Sequence, residues 1–534
     1  MTSPDRRQFL ATAGLAAFPD LLRAADPPTG RVNGQPQATA AGMSILAAGG
    51  NAVDAVVAAA LVAGVVAVPS TGIGGYGGHL IVARPGGKVN AIDFNMTAPA
   101  AARADMFPLD EKGVVKGGIN NHGWLAAGVP GVLAGLQRVL DQFGTKKFPE
   151  LVKPAIKYAR DGFPISKNLA QAIQKARDQF AKDPGSAKLF LTSKGEPLSE
   201  GATFRNPDLG DLLQRLAERG RTDDFYSGEI AKKTAAAFRM NGGLVTADDL
   251  AAYKAVDVTP LALDWKGYTI HTPPPTAGGL TALQALATLK ALDWKDDDAA
   301  GVQARVEALR LAWDDRLRLF GDPKFVDVPV ERLLSDRYAR ACAEKVRAAV
   351  AAKKPVEAKS DGRPAGGTIH LNAVDSAGMM VALTFTHGNA LGAQATVPGL
   401  GLVLGHGMSR FDPRPGRPNS VGPGKRPLHN MCPTVVTRDD TPVLALGATG
   451  GRKIPNTVFD VLVYRVGEGK SLAEAAKAPR VHTEGDLNLQ LEAAWPAAVK
   501  DRFKEAGYAV KTGTGAFAST IERDEKGGLT AAVR

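Results

Sequence analysis

Thr368 stands where a chain could be made to begin. It opens an alternating stretch, Thr368-Ile369-His370-Leu371-Asn372-Ala373, directly after Gly366-Gly367. A cut between Gly367 and Thr368 would give Thr368 a free α-amino group, with an unperturbed pKa of about 7.7–8.0. That amine could take the proton from the hydroxyl of its own residue. One residue would then supply both nucleophile and base, with no histidine required. Spacing alone also allows a plain structural threonine at the start of a strand.

The flanking segments would position this residue. Lys353–Gly367, rich in Lys, Pro, Ser and Gly, has the composition of an exposed, flexible linker and is a natural place for a cut. Strands are expected over 368–375, 379–387, 433–438 and 442–447, followed by a helix over 455–466. Ser376-Ala377-Gly378 makes the first two strands a hairpin. With 375 opposite 379, Thr386 falls opposite Thr368. Upstream, Asn51 caps a helix whose run Ala55–Val68 is apolar but too short to cross a bilayer. Ser70–Gly78 (STGIGGYGG) reads as a tightly packed loop into a strand at His79–Ala83 rather than a phosphate cradle, because no Lys-Ser/Thr follows. Helices are expected over 130–142, 150–160, much of 166–240, 280–292, 301–320 and 334–352. Thr246 caps another helix, and 258–271 alternates like a strand.

Composition narrows the function classes. The 534 residues are 44% hydrophobic and 22% charged, which supports a sizeable core and excludes a wholly disordered chain. Lys and Arg exceed Asp and Glu by 65 to 54, a net charge of +11, but the basic residues are interspersed with acidic ones. With only 6% aromatics this reads as a solvated surface, not a nucleic-acid interface. Two cysteines make neither a disulfide framework nor a four-thiolate zinc site. No spacing calls for a metal or cofactor. The start, Arg6-Arg7-Gln8-Phe9-Leu10 and an apolar run to Phe18, reads as a twin-arginine-type export signal over residues 1–25, with the mature chain starting near Asp26 in the periplasm. Left uncleaved, the signal would be the one membrane anchor.

The order of several short motifs resembles the γ-glutamyltransferase (glutathione hydrolase) family of N-terminal-nucleophile hydrolases. The motifs are Gly49-Gly50-Asn51-Ala52-Val53-Asp54-Ala55, Ala91-Ile92-Asp93-Phe94, Gly128-Val129-Pro130-Gly131, Asn241-Gly242-Gly243-Leu244, Asp248–Tyr253, Pro273–Gly279, Gly321-Asp322-Pro323, Pro423–Leu428 and Gly450-Gly451. Thr368-Ile369-His370 with Val374-Asp375 matches the segment that starts with the family's nucleophile. The resemblance implies an α+β fold, a four-layer αββα sandwich, and an inactive precursor that cuts itself between Gly367 and Thr368. A large subunit, 26–367, and a small subunit, 368–534, would then build one domain together. It also implies that Thr386 hydrogen-bonds the nucleophile and that the backbone N–H groups of Gly450 and Gly451 stabilise the oxyanion, at about 3–4 kcal/mol per donor.

The acyl pocket departs from that pattern. Asn95 follows Phe94 where the family has the arginine that holds the glutamate carboxylate. Arg410 stands where the family has an acidic residue for the substrate's α-amino group. Gly407 and Gly388 replace a glutamine and an asparagine, and His429-Asn430 replace paired serines. Putting a cation where an ammonium would sit works against ordinary γ-glutamyl recognition. Arg410, with Arg452, Lys453 or His429, could instead hold an anionic acyl group such as a glutaryl chain. The expected substrate is therefore a small acyl amide, γ-glutamyl-like or glutaryl-type, with water or an amine as acceptor. A degenerate, non-catalytic envelope binder is the competing reading.

Overall fold

A computed structural model describes residues 30–295, 298–358 and 367–534. The export-signal reading over 1–25 and the linker residues 359–366 lie outside these. Twelve strands build two six-stranded sheets: β1 (Gly30–Asn33), β2 (Gly77–Ala83), β3 (Asn90–Asp93), β4 (Val256–Val258), β5 (Leu261–Trp265), β6 (Tyr268–Thr272), β7 (Gly367–Asp375), β8 (Met380–Gly388), β9 (Thr434–Arg438), β10 (Thr441–Thr449), β11 (Phe517–Arg523) and β12 (Leu529–Val533). The first sheet has the order β1-β7-β8-β2-β3-β4 and the second β12-β11-β10-β9-β6-β5. Between them lies an apolar layer that includes Ile81, Val374, Met380, Val435, Ala445 and Ile521.

Helices cover both outer faces. Helices α1 (Pro36–Ala47) and α2 (Ala52–Val66) pack on the first sheet against Leu371, Ala373, Val381, Leu383 and Phe385. Helices α3 (Gly279–Leu292), α4 (Ala299–Leu319) and α5 (Lys453–Leu462) cover the second, against Val436, Leu444 and Leu446. The result is the four-layer αββα sandwich. Every residue of α2 is buried, as a uniformly apolar run requires. Its start is fixed by a reciprocal cap: Asp54 N–H donates to Asn51 Oδ1 at 3.0 Å, and Asn51 N–H donates to Asp54 Oδ2 at 2.9 Å.

Three expectations change. The stretch 258–271 is not one strand but the β5–β6 hairpin. It turns at Lys266 and Gly267, whose φ values of 53° and 78° suit the tight reversal that hairpins favour. The linker does not start free. Val356 is buried, its N–H donates to Glu307 Oε2 at 3.0 Å, and its carbonyl accepts from Arg310 Nη1 at 2.8 Å. Nor are all the charges solvated, because α4 buries Arg305, Arg310 and Arg316. Arg305 pairs with Asp460 at 2.6 Å and Arg310 with Glu307 at 3.1 Å.

The hairpin carrying Thr368 has the expected register, with Met380 opposite Val374 and Phe385 opposite Ile369. Alternation sends Leu371 and Ala373 to the helix layer, and His370 and Asn372 to the gap between sheets. Asn372 Nδ2 donates across that gap to Ser519 O at 2.9 Å, while His370 bonds Thr384 Oγ1 at 2.7 Å and Asn372 Oδ1 at 2.9 Å. Burial lowers the pKa of His370 to about 4, so the ring is neutral. It lies flat against β10, where a Cβ on Gly447 would sit 2.1 Å from it. Gly447→Ala is therefore expected to cost about 1–3 kcal/mol through overpacking, read as a lowered melting temperature. An unchanged melting temperature would show that the sheets can separate freely there.

Candidate active site

The hairpin register breaks at its open end. Phe385 faces Ile369, but the next pair is Gly388 with Gly367, so Thr386 and His387 together oppose Thr368 across a bulge. By alternation Thr368 and Thr386 share the inter-sheet face with His370 and Thr384, and both are buried. Thr386 Oγ1 accepts from the Gly388 N–H at 2.7 Å. The glycine-rich loop 70–78 wraps this end as packing: Ser70 O accepts from His387 N–H at 3.0 Å, and Tyr76 N–H donates to Thr386 O at 3.1 Å. A Cβ on Gly72 would meet the His387 ring at 2.3 Å, and one on Gly75 would meet Gly72 O at 2.7 Å, so the loop needs its glycines for close approach.

The two sheets bring a second backbone element here. Val374 shares a layer with Ala445, and His370 sits on Gly447. The N-terminal end of β7 thus points toward the C-terminal end of β10, where Gly450 and Gly451 follow. The carbonyls of these glycines accept from Lys453 N–H and Ile454 N–H, starting α5. Their own N–H groups have no protein acceptor among the described residues.

A cavity of about 410 Å³ opens beside this corner. Its wall includes Arg410, Asn430 and Arg452 among the residues singled out from sequence; Thr368, Thr386, Gly450, Gly451, Asn95 and His429 are not on it. Tyr76 links the two places, since its buried hydroxyl interacts with both Thr386 and Arg410. Burial raises the pKa of this hydroxyl and the Arg410 charge opposes the rise, leaving it a protonated donor. Arg410 Nη2 donates to Asn389 Oδ1 at 3.2 Å and lies 3.1 Å from His406 Nε2. His406 is kept neutral by burial and by the Arg410 charge, and its ring fills the space a side chain at Gly388 would need.

The other positions are placed as follows. Asn95 is fully buried, with its amide donating to Pro427 O at 2.7 Å and Thr276 Oγ1 at 3.1 Å. His429 packs edge-on to His79, with ring centroids 4.5 Å apart, and accepts from Met431 N–H. Lys453 Nζ donates to Thr514 O at 2.7 Å. Asp93 and Arg426, from two of the sequence motifs, form a buried pair at 2.7 Å with His79 alongside. Burial alone would raise the Asp93 pKa, but Arg426 and His79 hold it well below the usual range. These motifs thus brace the loops around the cavity.

Sequence reasoning missed Tyr76, His406 and Arg316. Arg316 Nη2 donates to His429 O at 2.7 Å and Asn430 Oδ1 at 3.3 Å, and its charged face lies over Trp313. Burial, with repulsion from Arg452, lowers its pKa to about 9. Among the described residues, six basic ones line the cavity: Lys112, Arg316, Arg410, Arg414, Arg417 and Arg452. Asp412, the one acidic residue on the wall among the described residues, is paired with Arg414 at 2.8 Å.

The profile of one protein family, Gamma-glutamyltranspeptidase, matches residues 38–533. The chain is 38% identical over 465 residues to the glutathione hydrolase proenzyme of Escherichia coli (strain K12), covering 83% of this chain and 79% of that one. It is 35% identical over 494 residues to the acylase ACY 1 proenzyme of Pseudomonas sp. (strain SE83), covering 90% and 86%. Among solved structures, a cephalosporin acylase from Bacillus halodurans matches with a TM-score of 0.84 at 27% identity, over 97% of this chain and 96% of that one.

Proposed function

The chain belongs to the Gamma-glutamyltranspeptidase family, and on that footing we propose that it is a self-processing, exported amidohydrolase or acyltransferase whose acyl pocket takes an anionic acyl group. Membership of this enzyme family, whose relatives are named glutathione hydrolase and acylase, supports an enzyme over a non-catalytic binder. In the precursor, Thr368 Oγ attacks the Gly367 carbonyl carbon. The Gly367–Thr368 C–N bond breaks as the acyl group moves to oxygen, and water then hydrolyses that ester. The products are a chain ending in the Gly367 carboxylate and a chain beginning with the Thr368 amine. Large and small subunits, 26–367 and 368–534, stay together because β7 is bonded to β1 in the large one.

In the mature enzyme the Thr368 amine takes the hydroxyl proton as Oγ attacks the substrate amide carbonyl. The oxyanion meets the N–H groups of Gly450 and Gly451. The same proton passes to the leaving amine as the amide bond breaks. Water or an acceptor amine, deprotonated in turn by the Thr368 amine, displaces the acyl group. Thr386 holds the nucleophile in line, and Arg410 faces the far end of the acyl chain. The observation that carries the reading is the bulged register that sets Thr368 and Thr386 on one buried face, joined through Tyr76 to an arginine-lined cavity.

Three experiments test it. N-terminal sequencing of the mature protein is expected to find a polypeptide beginning at Thr368; its absence overturns the mechanism. Glutaryl-p-nitroanilide is expected to be hydrolysed in preference to γ-glutamyl-p-nitroanilide, and the opposite preference overturns the pocket assignment. Thr386→Val is expected to slow both maturation and kcat by about 10–100-fold with KM little changed, followed by electrophoresis over time and anilide kinetics. Thr386→Ser should restore most of the loss, and a Val variant with normal rates would remove Thr386 from the site.

A further inference from the structure

Arg316 is a buried cation with no carboxylate. It is 4% exposed, and among the described residues no acidic group lies within ion-pair distance of it. Its Nη1 is buried without a hydrogen-bond partner, although the side chain is on the cavity wall. Beside it, Arg452 is also buried and also lies against the Trp313 ring, at 5.3 Å, with Arg316 at 5.6 Å. Glu484 neutralises Arg452 at 3.0 Å; nothing comparable neutralises Arg316. Burying an unpaired charge costs several kcal/mol, so a bare guanidinium facing a cavity is the free half of a pair. Arg410 lines the same cavity, with its Nε also buried and unpartnered, and both arginines act electrostatically on His429.

We infer that Arg316, backed by Arg452, is a second anion seat, and that the preferred acyl group carries two anionic groups, one for Arg410 and one for Arg316. This rests on the reading of the cavity as the acyl pocket. A cavity of about 410 Å³ is within the usual range for small-molecule sites and has room for a branched dicarboxylic acyl chain. The guanidinium fork of Arg316 keeps Nη2 on His429 and Asn430 and leaves Nη1 for a carboxylate oxygen. The corresponding product acid is a tricarboxylate, its third carboxylate being the one released from Thr368.

Binding is tested on the purified full-length wild-type protein by calorimetry at fixed pH and ionic strength, with propane-1,2,3-tricarboxylate, glutarate and butyrate. The tricarboxylate is expected to bind at least 10-fold more tightly than glutarate, and glutarate more tightly than butyrate. Arg316→Met should abolish the step from glutarate to tricarboxylate and keep the step from butyrate to glutarate; Arg410→Gln should still bind the tricarboxylate better than glutarate. Arg452→Gln, which leaves Arg316 in place, should reduce the tricarboxylate step and serves if the Arg316 variant fails to fold. Equal binding of glutarate and tricarboxylate, or an undiminished step in Arg316→Met, overturns the second seat. Turnover places the second anion. The p-nitroanilide of the branched dicarboxylic acyl chain is expected to outperform glutaryl-3-carboxy-4-nitroanilide, and the reverse order would put the seat on the leaving-amine side. A protein that binds the tricarboxylate through Arg316 yet cleaves no anilide keeps the seat and loses the hydrolase reading. One that cleaves glutaryl anilide without a tricarboxylate preference loses only the seat.

Discussion

Thr368→Ala is expected to run as one uncut polypeptide and to lose acyl-amide hydrolysis by about 10⁴-fold or more, the scale on which removing a nucleophile acts. Two losses coincide. Without the hydroxyl there is no N-to-O shift, so the Gly367–Thr368 bond stays closed. With that bond closed, the backbone nitrogen of residue 368 remains an amide and cannot act as a base. His370 does not replace it: the ring is neutral, bonded on both ring nitrogens and pressed on Gly447. Replacing a buried threonine by alanine at the start of a strand leaves the apolar layers intact, so the variant should still fold. Denaturing electrophoresis of wild type and variant reads the first loss, and anilide kinetics the second. In wild type, kcat/KM should rise with pH through the titration of the Thr368 amine, about 7.7–8.0 when unperturbed, because the base must be deprotonated. A Thr368→Ala protein that still separates into two chains would place the cut, and the nucleophile, elsewhere.

The hairpin around Thr368 was readable because its information is local: a three-residue turn and strict alternation fix which residues share a face. The same holds for the Asn51 cap and for α2, whose unbroken apolar run leaves no solvent face. The β5–β6 turn was harder, since Lys266-Gly267 interrupts the alternation without reversing it. Strands β1, β3, β4, β11 and β12 went unread. β1 is four residues long, and its place is set by pairing with β7 more than 330 positions later. Distance also hid much of the site. Tyr76, Arg316 and His406 come from a loop, a helix and a turn far apart in the chain, and each looks ordinary in its own segment. Basic residues interspersed with acidic ones along the chain read as a solvated surface, and the arginines of α4 fell under that general reading. Burial by α5 and the segments around Tyr508 and His429 made them an internal network instead. Asn95 was singled out by its neighbours in sequence, yet Pro427 and Thr276 engage its amide and it does not reach the cavity wall.

Arg410→Asp is expected to invert acyl preference. A γ-glutamyl group is a glutaryl group with one ammonium added, so the two p-nitroanilides isolate a single charge. In wild type that ammonium would approach a guanidinium that has no carboxylate partner among the described residues and is held toward the cavity by Asn389 and His406. At the effective dielectric of a partly buried site, opposing or matching one charge at contact distance is worth about 3–4 kcal/mol. Reversing the residue should thus move the ratio of kcat/KM for the γ-glutamyl over the glutaryl substrate by at least about 10²-fold. Arg410→Gln separates charge from structure: it should weaken the glutaryl preference without creating a γ-glutamyl one. Both variants release Asn389 and His406, so any general loosening of the pocket lowers activity on both substrates alike and cancels in the ratio. A ratio that stays at the wild-type value in Arg410→Asp would mean that Arg410 does not face the acyl group, and that the cationic wall serves some other ligand.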